Sequence, residues 1–362
     1  MPSLVGSEMC IRDRDYRQLT IAREYRGFTQ SKLSGMIEGL SQSNLSKYEK
    51  GLGTLSEDLV RKIMEVLDFP IGFMDISVGN DYEKSFRKKA RLKAMDKCHI
   101  ERFVDLLSYS VDYMTSDLEI PDYNFPNIDI ESGVTPEEIA MHLRNKFRLG
   151  IEPINNIINF LERNGVIVYE WDCEYDDFDG VSLITRGGNH LIVLNKNMSN
   201  DRKRRSIAHE LGHTIMHNDP DMFIVSSRDK KEEADRFASE FLMPRRGIES
   251  SLRGIKFSDL PVLKSYWKVS MMSIVVRARR LNCIDDSRYK YFATEISRRG
   301  WRLKEPYDVR LDESVVVSKM YTAMCDGLGY DMKTLSDAMN IPSDVTSCIF
   351  QPKRKNRFWI SV

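Results

Sequence analysis

Ser206-Ile-Ala-His209-Glu210-Leu-Gly-His213-Thr-Ile-Met-His217 is the stretch on which the reading of this chain turns. Ile207, Leu211 and Ile215 recur every four residues, which predicts a helix with one apolar face. His209 and His213 then stand one turn apart on a shared face, where both imidazoles reach a single Zn²⁺ at about 2.0–2.1 Å. Glu210 projects beside them, placed to take a proton from a water whose pKa such a metal lowers. The competing reading is two helix histidines hydrogen-bonded to carbonyls, and the five-residue pattern in isolation leaves the two even. His217 lies about 12 Å along a straight helix from His209, too far to share the ion, so it is expected to stand behind the ligands.

Working outward, Val166–Trp171, Val181–Arg186 and His190–Asn195 read as strands, the last two joined by Gly187-Gly188-Asn189 as a tight turn. Thr135-Pro136-Glu-Glu138 reads as a helix start, and Ile154–Arg163 as a second helix ending at Asn164-Gly165. From Asp201 to about Arg280 the pattern is helical, interrupted near Pro220, Pro244 and Pro261. The expected fold class is mainly α with a small sheet (α+β). The loop Glu170–Asp179 carries six carboxylates in ten residues, but its spacing fits no calcium loop and a solvated connection is expected. The C-terminal Leu335–Asp344 run also reads as helix, turn, helix, with a packing or dimerisation role expected.

Nearer the N-terminus, Thr29–Ile37 forms a short helix, Glu38-Gly39-Leu40 a turn, and Ser41-Gln-Ser-Asn-Leu-Ser-Lys-Tyr-Glu-Lys50 a second helix capped by Ser41. That is helix-turn-helix geometry. Leu45 and Tyr48 face inward, leaving Gln42, Ser43, Asn44 and Lys47 on the outer face, where such helices meet major-groove base edges of double-stranded DNA. A capped polar face of this kind is hard to explain by packing. The basic run Lys84–Lys93 leads into an amphipathic connecting helix through Ile100, Phe103, Val104, Leu107 and Val111. That run reads equally well as further phosphate contacts or as a solvated helix face. Asp117–Gly133, with Pro121 and Pro126, is expected as a linker.

Composition sets outer bounds. A length of 362 residues allows about two or three domains. Lys+Arg and Asp+Glu are both 54, so a DNA partner must be met by a local patch, not by the whole surface. The hydrophobic 41% and charged 30% match a soluble globular chain, and no apolar run reaches the ~18–20 residues of a membrane span, so no membrane partner is expected. Six scattered cysteines without Cys-x-x-Cys pairs, and no secretory leader, point to a reducing cytoplasm. Residues 1–14 fit no structural pattern and are expected to be a non-native leader.

Two resemblances sharpen these readings. Gln30, the Ser41–Gly51 run and Leu67-Asp-Phe-Pro70 resemble the lambda-repressor-like, XRE-type domain over about Tyr16–Phe73. The His-Glu-x-x-His helix followed by Glu232-Glu-Ala-Asp-Arg-Phe-Ala-Ser-Glu-Phe-Leu-Met-Pro244 resembles the zincin-like ImmA/IrrE zinc metallopeptidases, and the likeness reaches Tyr291–Trp301. Together they imply a cytoplasmic regulator binding an operator as a homodimer. They divide the chain into the leader 1–14, a DNA-binding domain 15–75, a connecting helix and linker 76–133, a zincin-like domain 134–255 and a helical region 256–362. The second resemblance implies Zn²⁺ on His209 and His213, Glu210 as general base, and Asp235 orienting a ligand histidine. The slot where the family carries a third, carboxylate ligand falls on Lys231, so the neighbouring Glu232 is the expected third ligand, with Glu233 as its alternative. A peptidase of this kind would align its substrate beside the Val181–Asn195 hairpin and cleave a protein partner or repressor. The alternative is a binding-only regulator, either a ligand sensor or an antitoxin that neutralises a toxin partner.

Overall fold

The computed structural model describes residues 15–79, 85–86, 93–128, 130, 133–217, 229–302, 304–310 and 312–350. The fold is mainly helical with one small sheet, the class the sequence predicts. Helices α1 (Tyr16–Tyr25), α2 (Gln30–Gly35), α3 (Gln42–Glu49) and α4 (Glu57–Val66) form the N-terminal unit. Each starts on a side-chain cap, in turn Asp15, Thr29, Ser41 and Ser56, that accepts a bond from an otherwise orphaned backbone N–H. Strand β1 (Ser85–Phe86) and the long α5 (Ala94–Thr115) follow. After the expected linker come α6 (Pro136–Lys146), opened by a Thr135/Glu138 capping box, and α7 (Ile157–Glu162). The strands β2 (Val166–Trp171), β3 (Gly180–Ile184) and β4 (His190–Asn195) lead into α8 (Asn200–Met216) and α9 (Lys230–Leu242). The chain ends through α10 (Arg245–Leu252), α11 (Leu260–Trp267), α12 (Met271–Arg280), α13 (Asp286–Arg298), α14 (Val316–Leu328), α15 (Met332–Met339) and α16 (Ser343–Phe350).

The sheet has the order β1-β3-β4-β2, with β2 parallel to β4 and the other pairs antiparallel. Its period-two alternation divides two hydrophobic cores. Ile167, Tyr169, Trp171, Val181, Leu183, Leu191 and Val193 face one core, shared with α1–α5 and α14–α16. Val166, Val168, Ile192 and Leu194 face the other, shared with α6–α13. Within 256–350, α11–α13 share the core of α8 and α9, whereas α14–α16 share that of the N-terminal unit. Arg26, the C-cap of α1, pairs with Asp344 of α16, and the Tyr169 hydroxyl donates to the carbonyls of Cys348 and Ile349. The Leu335–Asp344 run thus has a packing role.

Asp117–Gly133 is anchored to the core at particular residues. Phe125 is buried, Tyr123 stacks on His190 with ring centroids 3.4 Å apart, and the Asn124 N–H donates to the Asn164 carbonyl. The connecting helix begins at Ala94, directly after the basic run; Ser85 and Phe86 form a strand, and the rest of that run before Lys93 lies outside the described residues. The leader 1–14 also lies outside them. Among the described residues no helix is long and apolar enough to cross a membrane.

Candidate functional site

Helix α8 lies between the sheet and α9, and Gly212 sets how close α9 can come. A Cβ at Gly212 would lie 2.9 Å from the Phe237 ring and 3.4 Å from the Ala234 Cα. The bare backbone lets the two helices approach, and this approach brings the acids of α9 to the histidines of α8. His209 and Glu210 are fully buried, and His213 and His217 partly so.

The imidazoles form a chain. Asp235 accepts from His209 Nδ1 at 2.9 Å, His213 Nδ1 meets His217 Nδ1 at 2.9 Å, and His217 Nε2 donates to Glu233 at 2.8 Å. With His217 donating to a carboxylate, its Nδ1 is assigned as acceptor and His213 Nδ1 as donor. Both ligand candidates then turn their Nε2 lone pairs toward one another, and these atoms are 3.1 Å apart. A shared cation satisfies that arrangement. Two nitrogens at about 2.0–2.1 Å from one Zn²⁺ and about 3.1 Å apart subtend about 98°, within reach of a tetrahedral site, so the pair fits the metal the fold implies.

The acids divide differently from the expectation. Glu232 is not brought to the histidines: its carboxylate accepts from Arg280 at 2.7 Å, and its side chain is half exposed. Glu233 is the acid that α9 delivers onto His217, as Asp235 is onto His209. Lys231 sits in the exposed first turn, its backbone N–H bonded to Asp229. Arg280 also donates to the Asp235 carbonyl at 3.1 Å, holding the α9 turn from which Asp235 reaches His209. Among the described residues no three His, Cys, Asp or Glu side chains gather closely enough to hold a metal ion.

Glu210 points toward the sheet, where the Ser182 hydroxyl of β3 donates to its Oε2 at 2.8 Å. Ser182 has no place in the sequence reading. The signal for it is a buried hydroxyl on a strand face otherwise turned to an apolar core, a group that needs a partner.

In the N-terminal unit the structure exposes Gln42, Ser43, Asn44 and Lys47 on α3, while Leu45 is buried. Gln42 Nε2 donates to Gln30 Oε1 at 2.9 Å, Gln30 Nε2 donates to Glu49 at 2.7 Å, and Glu49 is clasped by the buried Arg23. The chain of bonds fixes the Gln42 amide so that one N–H and the carbonyl oxygen remain for a base edge. That donor–acceptor pair matches adenine N7 and N6.

Residues 19–74 match the helix-turn-helix family model and residues 162–279 that of the IrrE N-terminal-like domain. The chain joins a DNA-binding helix-turn-helix domain to an IrrE-like, peptidase-like domain. No curated protein matches the chain. The IrrE-like match spans β2 through α12, so it takes in Ser182, His209, Glu210, His213, Glu233 and Asp235 together with the helices that support them. Its residues stand beyond the end of the helix-turn-helix match, and the sheet joins the two through a common core.

Proposed function

We propose that this chain is an operator-binding transcriptional regulator whose IrrE-like domain binds Zn²⁺ through His209 and His213 and hydrolyses a peptide bond of a protein partner. The carrying observation is the pair of Nε2 atoms 3.1 Å apart, with Asp235 and His217 engaging the opposite ring nitrogens. Zinc, when bound, acts as a Lewis acid and lowers the pKa of water. The rest falls to the chain. Asp235 and the His217–Glu233 pair keep both ligand imidazoles in the tautomer that presents Nε2. Glu210, held by Ser182, takes the proton from the attacking water and returns it to the leaving amine. The backbone of the β3–β4 hairpin aligns an extended substrate by strand addition.

The DNA end is a homodimer reading half-sites about one helical turn apart through α3, with Gln42 on a base edge and Gln30 steadying it. A binding-only regulator is the second reading, favoured by Lys231 in the slot where the resemblance expects a carboxylate. A nearby ammonium opposes metal occupancy. Lys231→Glu should then raise zinc affinity and any cleavage.

The test is metal analysis of the purified full chain, followed by mass spectrometry of a peptide library incubated with wild type, Glu210→Gln and Lys231→Glu at matched zinc. Near-stoichiometric zinc and cleavage that vanishes in Glu210→Gln support the peptidase reading. Equal cleavage by wild type and Glu210→Gln sinks the mechanism, and no cleavage even by Lys231→Glu selects the binding-only regulator.

A further inference from the structure

Positive charge is unevenly placed in this chain. Lys and Arg number 54, as do Asp and Glu, yet residues 245–302 hold 14 cationic side chains against five acids. Ten of those 14 are exposed. The stretch runs from α10 through α13 to Arg302, and its part after residue 279 lies beyond the IrrE-like match. A field of one sign on a neutral chain marks a surface that meets an anion.

Packing gathers several of these cations together. Arg288 of α13 and Arg299, its C-cap, stand eleven residues apart, so they share one side of the helix about 16 Å apart along its axis. Arg288 donates to the Ile255 carbonyl at 2.5 Å, and the Arg299 guanidinium lies 4.9 Å from the Phe257 ring centroid. Both therefore meet the connection between α10 and α11, which carries the exposed Arg253 and Lys256. Phe257 stacks with both Phe292 and Trp301, at centroid distances of 6.2 and 5.6 Å, and the two guanidiniums lie over this aromatic floor. The acids do not cancel the charge. Glu249 is shared by Arg245 and Arg253, Glu295 by Arg298 and Arg299, and Asp286 pairs with Arg279. Asp285 and Asp259 accept from the backbone N–H groups of Arg288 and Lys256.

We propose that the face formed by Arg253, Lys256, Arg288 and Arg299 binds the phosphate backbone of duplex DNA, as a second contact besides α3. This rests on DNA as the ligand of the helix-turn-helix domain. The span between Arg288 and Arg299 covers about five phosphates of one strand at about 3.4 Å each. Cations on a helix face position a duplex without reading it, so sequence preference stays with α3.

The experiment titrates the full-length protein against a fluorescent duplex of its own upstream region and a random duplex of equal length, by anisotropy between about 50 and 200 mM salt. R253Q, K256Q and R299Q together should lower the slope of log K against log salt by about 2–3 and weaken both duplexes about tenfold or more, with their ratio kept within about twofold. R253K and R299K should keep the wild-type slope, which guards against misfolding. K196Q, K319Q and K333Q together remove the same charge at exposed sites on other elements and should leave the slope unchanged. Equal slopes for wild type and the first variant overturn the proposal, as does an equal loss in the control. Unchanged DNA binding with lost binding of poly-glutamate also overturns it and assigns the face to an acidic protein. Preference for the upstream duplex tests the operator reading separately: slope loss without preference keeps this face and sinks the operator, and preference without slope loss does the reverse.

Discussion

Two relays in this molecule are built alike and placed differently. In the DNA-binding unit Glu49 fixes Gln30, which fixes Gln42, across bonds of 2.7 and 2.9 Å. Behind the histidines Glu233 fixes His217, which fixes His213, across 2.8 and 2.9 Å. In each, an anchored carboxylate decides which atom the last side chain offers. The first relay ends on an exposed glutamine, and the second on an imidazole facing the buried His209. Water competes for the outer Gln42–Gln30 bond until a partner excludes it, whereas both bonds of the histidine relay are part-buried and hold their orientation better. Orientation should therefore count for more at the histidines than at the recognition helix.

The largest expected effect is at the ligands themselves. His213→Ala leaves no chelating pair and should abolish stoichiometric zinc, read by metal analysis after dialysis. Asp235→Asn and His217→Phe keep both ligands but lose their fixed tautomers, and should weaken zinc by about 10–100-fold in a competitive chelator titration. Wild-type affinity in both would break the comparison at its buried end.

At the exposed end, Gln42→Ala should cost about 1–3 kcal/mol of discrimination at one base pair per half-site. Gln30→Ala removes only the support and should cost less, under about 1 kcal/mol, measured as operator affinity against single-base variants at fixed salt. A Gln30 effect as large as that of Gln42 would mean that the exposed relay is as rigid as the buried one.

The smallest effect concerns the sheet that both regions share. Burial pushes His190 down to about 4, and burial also lowers His99 beside Tyr25, Trp171 and Tyr175. The unfolded chain takes up these protons near the ordinary pKa of about 6.5 and the folded chain resists. The associated stability is present above pH 6.5 and is lost as pH falls toward about 4. His190→Phe should shrink the drop in urea midpoint between pH 7 and pH 5. Because both cores meet at the sheet, fluorescence and circular dichroism should report one transition; two separate transitions would show that the regions fold independently.

Much of this was legible in the chain. The caps Thr29, Ser41 and Thr135, the apolar period of α8 and the Gly187-Gly188-Asn189 hairpin all depend on spacings of a few residues, and local geometry answers to local sequence. The same locality places His209 and His213 on one face and leaves Gln42, Ser43, Asn44 and Lys47 outward. Over Asp117–Gly133 prolines interrupt regular structure, and the buried Phe125 ties the segment to the core.

Local sequence suffices for the pair of helices that carry the chemistry, the residue types on them and the class of fold. Long-range packing sets that Glu233 and not Glu232 reaches the histidines, that Ser182 holds Glu210, that α14–α16 pack on the DNA-binding unit, and that β1 pairs with the edge of β3. The physical reason is angular and steric. One residue along α9 turns a side chain by about 100°, so the acid that meets α8 depends on how closely Gly212 lets the helices approach and on the grip of Arg280. Partners separated by tens of residues are set by packing and strand register, which no short spacing encodes.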